Sequence, residues 1–367
     1  MNKHKICPSL IHDVNVLCKT QKQNVFVLSS NFDKTKKFLT ENNFSFTPYR
    51  FANCFNLNVD FEDLKILSDK TDVVYIYSNP KVQTTSLEQD FININALCEN
   101  RYYGQNQTIC FIDTGIMPHL DFILPKNRII KFVDLINNHS YPYDDNGHGT
   151  FVVGMACGGG IVSPNNKGIS NLAKIVVIKA LGEFGNSNSN TILDAMQWVY
   201  EHHKALNIGV VCMSFGADSI SNSDPLSKGA EALWKRGIVV VAAAGNSGPN
   251  KSTIKSPGNN PYIITVGALD ISNFKTADFS SRGPTIYGHK PDLLAPAVNL
   301  TSCGSSNFPY TKMSGTSVST PIVAGICAVI KSKYPKMTNR EIKQFLLSHC
   351  KKITGDIDSE GAGYICF

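Results

Sequence analysis

The chain has 367 residues, of which 42% are apolar, enough to bury the core of one large domain and a smaller companion. Its net charge is +6 with no long basic run, so the composition argues against nucleic acid and membrane surfaces as partners. No apolar stretch reaches the length of about 18 residues that a transmembrane helix needs.

The eleven cysteines form no CxxC pair and no zinc-binding cluster in the sequence. Several lie inside apolar runs, among them Cys110, Cys212 and Cys327, which indicates small buried side chains kept as reduced thiols. The N-terminal segment lacks both the apolar core of about 7–15 residues and the small-residue cleavage site of a secretory signal peptide. The sequence therefore predicts a cytoplasmic protein.

The N-terminal part of the chain alternates strand and helix patterns before it becomes polar. The predicted elements, in chain order, are a strand at 24–31, a helix at 33–43, a strand-like stretch at 46–59, a helix at 61–70 and a strand at 72–78. This β-α-β-α-β order is typical of a small two-layer α+β domain. The polar stretch NPKVQTTSLEQD that follows has the composition of a connector.

From about residue 95 onward, continuous apolar strands alternate with helices. The predicted strands are 108–113, 174–181, 208–216, 238–244 and 262–269. One predicted helix begins at His148, and the others span 190–203, 224–237, 317–334 and 338–350. This pattern predicts an α/β fold, a mostly parallel sheet covered by helices on both faces. Ligands of such sheets bind at the carboxyl ends of the strands.

Three short segments carry residues with the chemistry of a nucleophilic active site. They are DTG at 113–115, HGT at 148–150 and GTSVSTP at 315–321, which place Asp113, His148 and Ser317 in that chain order. A serine hydroxyl attacks a carbonyl effectively when an imidazole takes its proton, and a buried carboxylate fixes the tautomer of that imidazole. The order Asp…His…Ser differs from that of chymotrypsin-type enzymes and of α/β-hydrolases.

A hydrogen-bond donor for the oxyanion of the tetrahedral intermediate follows the apolar run at 238–244. Asn246 ends this predicted strand, where its side-chain amide can be held rigidly toward the developing charge. Ser317 opens a predicted helix, whose N-terminal end carries partial positive charge. Both features favour a site that stabilises an oxyanion.

Each segment also has a non-catalytic interpretation. DTG occurs in aspartic proteases, but their chemistry needs a second carboxylate, and the sequence has no second DTG. GNSGP at 245–249 is similar to the nucleophile loop of chymotrypsin-like enzymes, whose all-β fold does not suit the alternation of strands and helices here. HGT can form a plain turn and Ser317 a helix N-cap. The three segments in one order favour the catalytic interpretation.

The chain resembles the subtilases, the subtilisin-like serine proteases. The matching segments are FIDTGIMPHLDF, DDNGHGTFVVG, IVVVAAAGNSGP, ITVGALD, FSSRGP and KPDLLAPAVNL. The sequences of these segments are most similar to those of the cytoplasmic bacterial branch of the family. The resemblance implies a three-layer subtilisin-like α/β fold and a serine endopeptidase. It assigns Ser317 as the nucleophile, His148 as the general base and Asp113 as its orienting carboxylate. It assigns Asn246 as an oxyanion donor.

The resemblance also implies a zymogen. A small ferredoxin-like α+β prodomain would occupy 1–86 and the peptidase domain 87–367, with the boundary within 84–88. In subtilases the prodomain assists folding and then inhibits the active site, so self-cleavage within 84–88 is expected. The alternative is a permanent N-terminal subdomain.

Three segments match substrate-contacting positions of the family. One side of the pocket for the P1 residue, the residue whose carbonyl is attacked, is expected to be lined by Ser214, Phe215 and Gly216. The other side is expected to be lined by Ala243, Ala244 and Gly245. The peptide backbone is expected to pair, as an added strand, with Gly185, Asn186 and Ser187.

Lys255 falls near the floor of the P1 pocket when positions are counted back from the Pro257-Gly258 turn. A buried ammonium there would favour Asp or Glu at P1, and Glu88 would then be the self-cleavage point. A solvated lysine is the alternative.

The hydrolytic chemistry requires no cofactor. Asp121 matches a position that ligates structural calcium in many subtilases, which makes it the one candidate metal ligand. Calcium takes about six to eight oxygen ligands, however, and the loop at 157–170 departs from the usual calcium-loop sequence.

The sequence thus predicts an intracellular, self-processing serine endopeptidase that acts on peptides or proteins and is inhibited by its own prodomain. Two alternatives remain open. One is a protease of narrow specificity that matures leader peptides or propeptides. The other is a catalytically silent pseudoprotease that binds peptides.

Overall fold

Two large sheets organise the described part of the chain in the computed structural model, which describes residues 2–6, 10, 22–50, 53–78, 92–99, 101–218, 224–305 and 309–367. The chain divides into two compact units. The first consists of Met1–Gln83 with the short segments Leu124–Lys126 and Gly304–Tyr310, and the second of the remaining residues. The predicted processing region at 84–88 lies outside the described residues, and the predicted domain boundary stays a prediction.

The first unit contains a four-stranded antiparallel sheet in the order β2-β3-β1-β4. Its elements are β1 Gln23–Ser29, α1 Phe32–Glu41, β2 Phe46–Tyr49, β3 Cys54–Val59, α2 Phe61–Ser68 and β4 Val73–Ser78. The order β-α-β-β-α-β is that of ferredoxin-like domains. The single strand-like stretch predicted at 46–59 is wrong, because the structure has two antiparallel strands there. Asn53, with φ of 50°, takes the left-handed conformation just before β3, which asparagine tolerates.

Local sequence explains both helices of this unit. Asn31 caps α1 by accepting a hydrogen bond from the Lys34 N–H, and Asp60 forms a capping box with Asp63 at the start of α2. The Phe32 ring of α1 stacks on Phe55 of β3 with ring centroids 4.5 Å apart. The helices thus cover a small core of their own sheet.

The second unit contains a ten-stranded sheet, whose main path has the order β15-β16-β12-β10-β9-β8-β5-β7-β6, with β11 beside β10. The strands from β6 across to β12 pair in parallel, which confirms the predicted α/β sheet. The strands of this unit are β5 Thr108–Asp113, β6 Ile129–Asp134, β7 Lys174–Lys179, β8 Ile208–Met213, β9 Val239–Ala243, β10 Ile264–Asp270, β11 Lys275–Thr276, β12 Leu293–Pro296, β13 Leu300–Cys303, β14 Tyr310–Met313, β15 Cys350–Lys351 and β16 Tyr364–Ile365. The pair β13-β14 forms a separate two-stranded sheet.

The helices of this unit are α3 Ile94–Cys98, α4 Leu120–Ile123, α5 His148–Cys157, α6 Ser189–His202, α7 Pro225–Lys235, α8 Thr316–Lys333, α9 Asn339–Ser348 and α10 Ile357–Glu360. Helix α8 is almost entirely buried and packs against β8, β9, β10 and α5. Its apolar and small residues suit that central position, since a helix that is hydrophobic all round belongs inside the core. Thr338 caps helix α9, which was predicted at 338–350, and forms a capping box with Glu341.

The nine cysteines in the described part of the chain are free thiols, and seven of them are buried. Cys110, Cys212 and Cys327 lie in the core, as predicted. Burial raises the pKa of the Cys157 thiol to about 11, so this thiol stays protonated. None of the helices in the described ranges has the length and apolarity needed to cross a bilayer.

Candidate active site

Asp113 and His148 meet at the carboxyl end of strand β5, an interior strand of the large sheet. Asp113 is the last residue of that strand and is fully buried. His148 opens helix α5, and its Nδ1 lies 2.7 Å from Asp113 Oδ1. Because Nδ1 donates its proton to the carboxylate, the other ring nitrogen, Nε2, is left to accept a proton.

Asp144, a buried carboxylate in the loop that precedes His148, fixes the position of the imidazole. One of its oxygens accepts hydrogen bonds from the Thr114 hydroxyl at 2.9 Å and the Gly147 N–H at 2.8 Å. Its other oxygen accepts from the N–H and the hydroxyl of Thr150, at 2.8 and 2.6 Å. Asp144 therefore ties the start of α5 to the residue that follows Asp113.

Lys179 of the neighbouring strand β7 stabilises the segment that follows Asp113 and the loop that precedes His148. Its buried ammonium donates to the Thr114 carbonyl at 2.7 Å and to Asp145 Oδ1 at 2.6 Å. A buried charge with a paired carboxylate and carbonyl acceptors is costly to disturb. Lys179 thus links the end of strand β5 to the loop that precedes His148.

The environment of His148 shifts the proton equilibrium of its ring. Burial by itself lowers the pKa, but the charge of Asp113, its hydrogen bond and the charge of Asp144 outweigh that effect. The pKa of His148 therefore lies above its ordinary value of 6.5. The neutral ring needed to accept a proton becomes dominant only above that raised pKa.

We expect kcat/KM for peptide hydrolysis to fall on the acid side with a midpoint above 6.5, because protonated His148 cannot act as a base. Asp113→Asn removes the charge that raises the pKa, so the midpoint should move to lower pH. The same variant should lower kcat by about ten-thousand-fold through loss of the correct tautomer. A profile of kcat/KM between pH 5 and about 9 measures both effects. An acid midpoint identical in the two proteins would show that a group other than His148 controls it.

Ser317 lies in the first turn of α8 and shares a cleft with His148 and Asn246. Gly315 precedes this helix, and a side chain at this position would crowd the site. A β-carbon at Gly315 would lie 3.1 Å from Ser317 Oγ and 3.2 Å from Asn246 Nδ2. The hydroxyl and the side-chain amide therefore border the same small space.

Thr316 orients the amide of Asn246. The Thr316 N–H and hydroxyl both donate to Asn246 Oδ1, at 2.9 and 3.0 Å. The Thr316 hydroxyl also accepts from the Gly245 N–H at 3.1 Å. Because the amide oxygen is held by Thr316, the Nδ2 group is available as a donor beside Ser317.

The cleft has a volume of about 380 Å³ and collects most of the residues predicted to contact substrate. Its lining residues are Thr114, Asn146, His148, Leu181, Gly185, Ser214, Phe215, Gly216, Ala243, Gly245, Asn246, Lys255, Thr316 and Ser317. Ala244, Asn186 and Ser187 are not among them. Ala244 is buried and accepts a hydrogen bond from the Lys255 N–H at 2.9 Å.

The segment predicted to pair with a peptide forms a tight turn at the rim. The Gly182 N–H donates to the Asn186 carbonyl and the Gly185 N–H to the Gly182 carbonyl, both at 2.9 Å. Asn146 Nδ2 supports the turn by donating to the Glu183 carbonyl at 2.8 Å. Asn186 and Ser187 are exposed, and the pairing of this segment with substrate stays a prediction.

Asp121, the candidate calcium ligand, is surrounded by hydrogen-bond donors. Its two carboxylate oxygens accept from the N–H groups of Gly160 and Ile161, each at 3.0 Å. Calcium binds oxygen ligands, whereas this loop presents amide hydrogens to the carboxylate. The residues around Asp121 therefore do not fit a calcium ion.

A histidine and a cysteine complete the buried cluster around Asp121. The ligand atoms of His119, Asp121 and Cys303 lie within 4.8 Å of one another. The Cys303 thiol donates to Asp121 Oδ2 at 3.8 Å, and burial raises its pKa well above the ordinary value. The three side chains thus form a buried polar cluster in which Asp121 accepts a hydrogen bond from the Cys303 thiol.

Sequence reasoning missed four residues that arrange the site: Thr114, Asp144, Lys179 and Thr316. Thr114, Asp144 and Thr316 lie within the recognised segments, so their position was the available signal. Their hydrogen-bonding partners lie far away in sequence, 30 positions between Thr114 and Asp144 and 70 between Thr316 and Asn246. Such pairing follows only from the folded arrangement.

Comparison with known proteins gives consistent matches. Residues 104–364 match the model of the subtilase family. Serine protease AprX of Bacillus subtilis (strain 168) is 37% identical over 326 residues, which cover 80% of this chain and 73% of that protein. Subtilisin DY of Bacillus licheniformis is 34% identical over 270 residues, covering 72% of this chain and 90% of that protein. The solved structure of a psychrophilic protease aligns with a TM-score of 0.66 and 26% identity, over 77% of this chain and 99% of its own.

Proposed function

Because this chain belongs to the subtilase family and is a subtilisin-like serine endopeptidase, we propose that Asp113, His148 and Ser317 are its catalytic triad. The observation that carries the proposal is the 2.7 Å contact between His148 Nδ1 and buried Asp113, together with the cleft that His148 and Ser317 both line. This arrangement leaves His148 Nε2 as the base for the serine hydroxyl.

The proposed reaction has two stages. Ser317 Oγ attacks the carbonyl carbon of the scissile peptide, and its proton passes to His148 Nε2. The carbonyl oxygen becomes an oxyanion beside Asn246 Nδ2 and the positive end of α8. His148 then protonates the leaving amine, and water hydrolyses the acyl-enzyme by the same route.

The chain is, in this proposal, made as a self-processing zymogen and matured by cleavage within 84–88. Support comes from the first unit, which has its own sheet and its own buried residues. The polar composition between that unit and the peptidase region suits a cleavable connector. The first unit would then act as the intramolecular inhibitor, and Glu88 would be the cleavage point.

A cytoplasmic location is part of the proposal. It is supported by the free thiols of the described residues, because exported proteins commonly oxidise their cysteines to disulfides. The substrates would then be intracellular peptides or proteins.

The test is the intact mass of the purified full-length protein beside its Ser317→Ala variant. Loss of the residues before 84–88 in the wild type alone supports self-processing. Reaction with a fluorophosphonate, which phosphonylates an activated serine with loss of fluoride, reports the triad independently of processing. A wild type that stays whole and yet is labelled is an endopeptidase with a permanent N-terminal subdomain. A wild type that is neither processed nor labelled is a peptide-binding pseudoprotease. Cleavage restricted to one or a few propeptides would indicate a dedicated maturation protease.

A further inference from the structure

We infer that Lys255 makes the P1 pocket selective for an acidic side chain, and that Asp218 is the counter-ion which the substrate carboxylate displaces. This inference rests on the proposed function, since it assigns the substrate class of the same cleft. It identifies the natural substrates as peptides or proteins cleaved after glutamate or aspartate.

The backbone places Lys255 at the junction of the two pocket walls. The first wall ends at Ala217, which exchanges two backbone hydrogen bonds of 2.9 Å with Ser256. The second wall contains Ala244, whose carbonyl accepts the Lys255 N–H at 2.9 Å. Lys255 therefore bridges the walls and forms the floor between them.

The side chain of Lys255 occupies the space between two glycines, one in each wall. A β-carbon at Gly216 would lie 2.6 Å from Lys255 Cβ, and one at Gly245 would lie 2.5 Å from Lys255 Cγ. No side chain larger than hydrogen fits at either glycine while the lysine is present. The aliphatic stem is thus enclosed by the pocket, which fixes where the ammonium group can reach.

The ammonium of Lys255 is the one permanent charge among the described residues that line the cleft. It forms a hydrogen-bonded ion pair with the carboxylate of Asp218. The Lys255 side chain is only 23% exposed, whereas that of Asp218 is 88% exposed. An exposed carboxylate regains full hydration when it leaves the pair, so a substrate carboxylate can replace it at little cost.

A glutamate at P1 therefore finds a pre-placed cation in a half-enclosed pocket, where charge pairing is stronger than in bulk water. Glutamine has the same shape but no charge, and lysine would bring two cations together. The charge of the P1 side chain, more than its size, is expected to decide the rate of cleavage.

The test compares kcat/KM for peptides that differ only at P1, with Glu, Gln, Leu or Lys. We expect the Glu peptide to exceed the Gln peptide about tenfold or more and the Lys peptide to be cleaved slowest. Lys255→Met should abolish the Glu-over-Gln ratio while the Leu peptide is still cleaved. Asp218→Asn should raise the ratio, because the competing carboxylate is gone. Added salt should lower the wild-type ratio.

Lys251→Met and Asp194→Asn are matched controls, because both residues are exposed and neither lines the cleft. Both should leave the ratio unchanged. Equal rates for Glu and Gln in the wild type, or a ratio that survives Lys255→Met, would overturn the inference. The proposed function would stand in that case if the Leu peptide is cleaved and Ser317 reacts with the fluorophosphonate. Failure of both would refute the proposed function itself.

Discussion

Replacing Ser317 by alanine is expected to lower kcat for peptide hydrolysis on the order of a million-fold, the scale known for loss of the nucleophile in subtilisin. The reason is that His148 and Asp113 have no hydroxyl to activate, so only substrate binding and oxyanion stabilisation remain. The fold should be unaffected, since the lost atom is one hydroxyl at the edge of the cleft.

The measurement must separate lost chemistry from lost processing, because the variant cannot cleave itself. A small amount of wild-type enzyme trims the variant, and a fluorophosphonate then silences the wild type without touching the alanine variant. Peptide hydrolysis and substrate binding are measured on the trimmed protein. Unchanged substrate affinity with lost turnover is expected. A trimmed variant that still hydrolyses peptides at an appreciable rate would remove Ser317 from the role of nucleophile.

Asn246→Ala is expected to lower kcat by about a hundred- to a thousand-fold with little change in KM, the range known for the oxyanion asparagine of subtilisin. A donor aimed at the developing oxyanion contributes in the transition state more than in the bound substrate. Steady-state kinetics on one peptide at saturating and limiting concentrations gives both constants.

Asn246→Asp is the matched comparison, because a carboxylate oxygen can still accept the two hydrogen bonds from Thr316. It keeps the acceptor that positions the side chain and replaces the donor with negative charge. We therefore expect kcat to fall at least as far as in the alanine variant, without loss of the local fold. A normal kcat for Asn246→Asp would show that the amide hydrogen does not serve the reaction.

The segments that hold the proposed catalytic residues could be recognised in the sequence because each is a short local pattern. DTG, HGT and GTSVSTP place their functional residues at a strand end or at the start of a helix, where adjacent residues decide the geometry. The long helix α8 and the central strands were predictable for a similar reason, since their apolar runs are continuous.

The strand pair β2-β3 could not be predicted in this way. Its turn near Arg50–Asn53 contains no glycine, and apolar residues flank it on both sides, so the sequence looks like one strand. The Asn53 N–H donates to the Arg50 carbonyl at 3.2 Å, a bond that reverses the chain without an obvious turn signal.

The ion pair between Lys255 and Asp218 is a second feature beyond sequence reasoning. The two residues are 37 positions apart and approach only because Ala217 and Ser256 pair their backbones. From sequence, a solvated lysine and a buried one were both open. The folded arrangement encloses the stem and exposes only the partner carboxylate.

The buried cysteines can report the local opening of the structure that surrounds each of them. An enclosed, protonated thiol is inert toward alkylating reagents until the structure around it opens. Cys110 lies in β5 below Asp113, Cys212 in β8, and Cys327 in the helix that begins beside Ser317. The alkylation rate of each cysteine therefore measures how often the element around it opens. This measurement does not depend on the hydrolysis of any substrate.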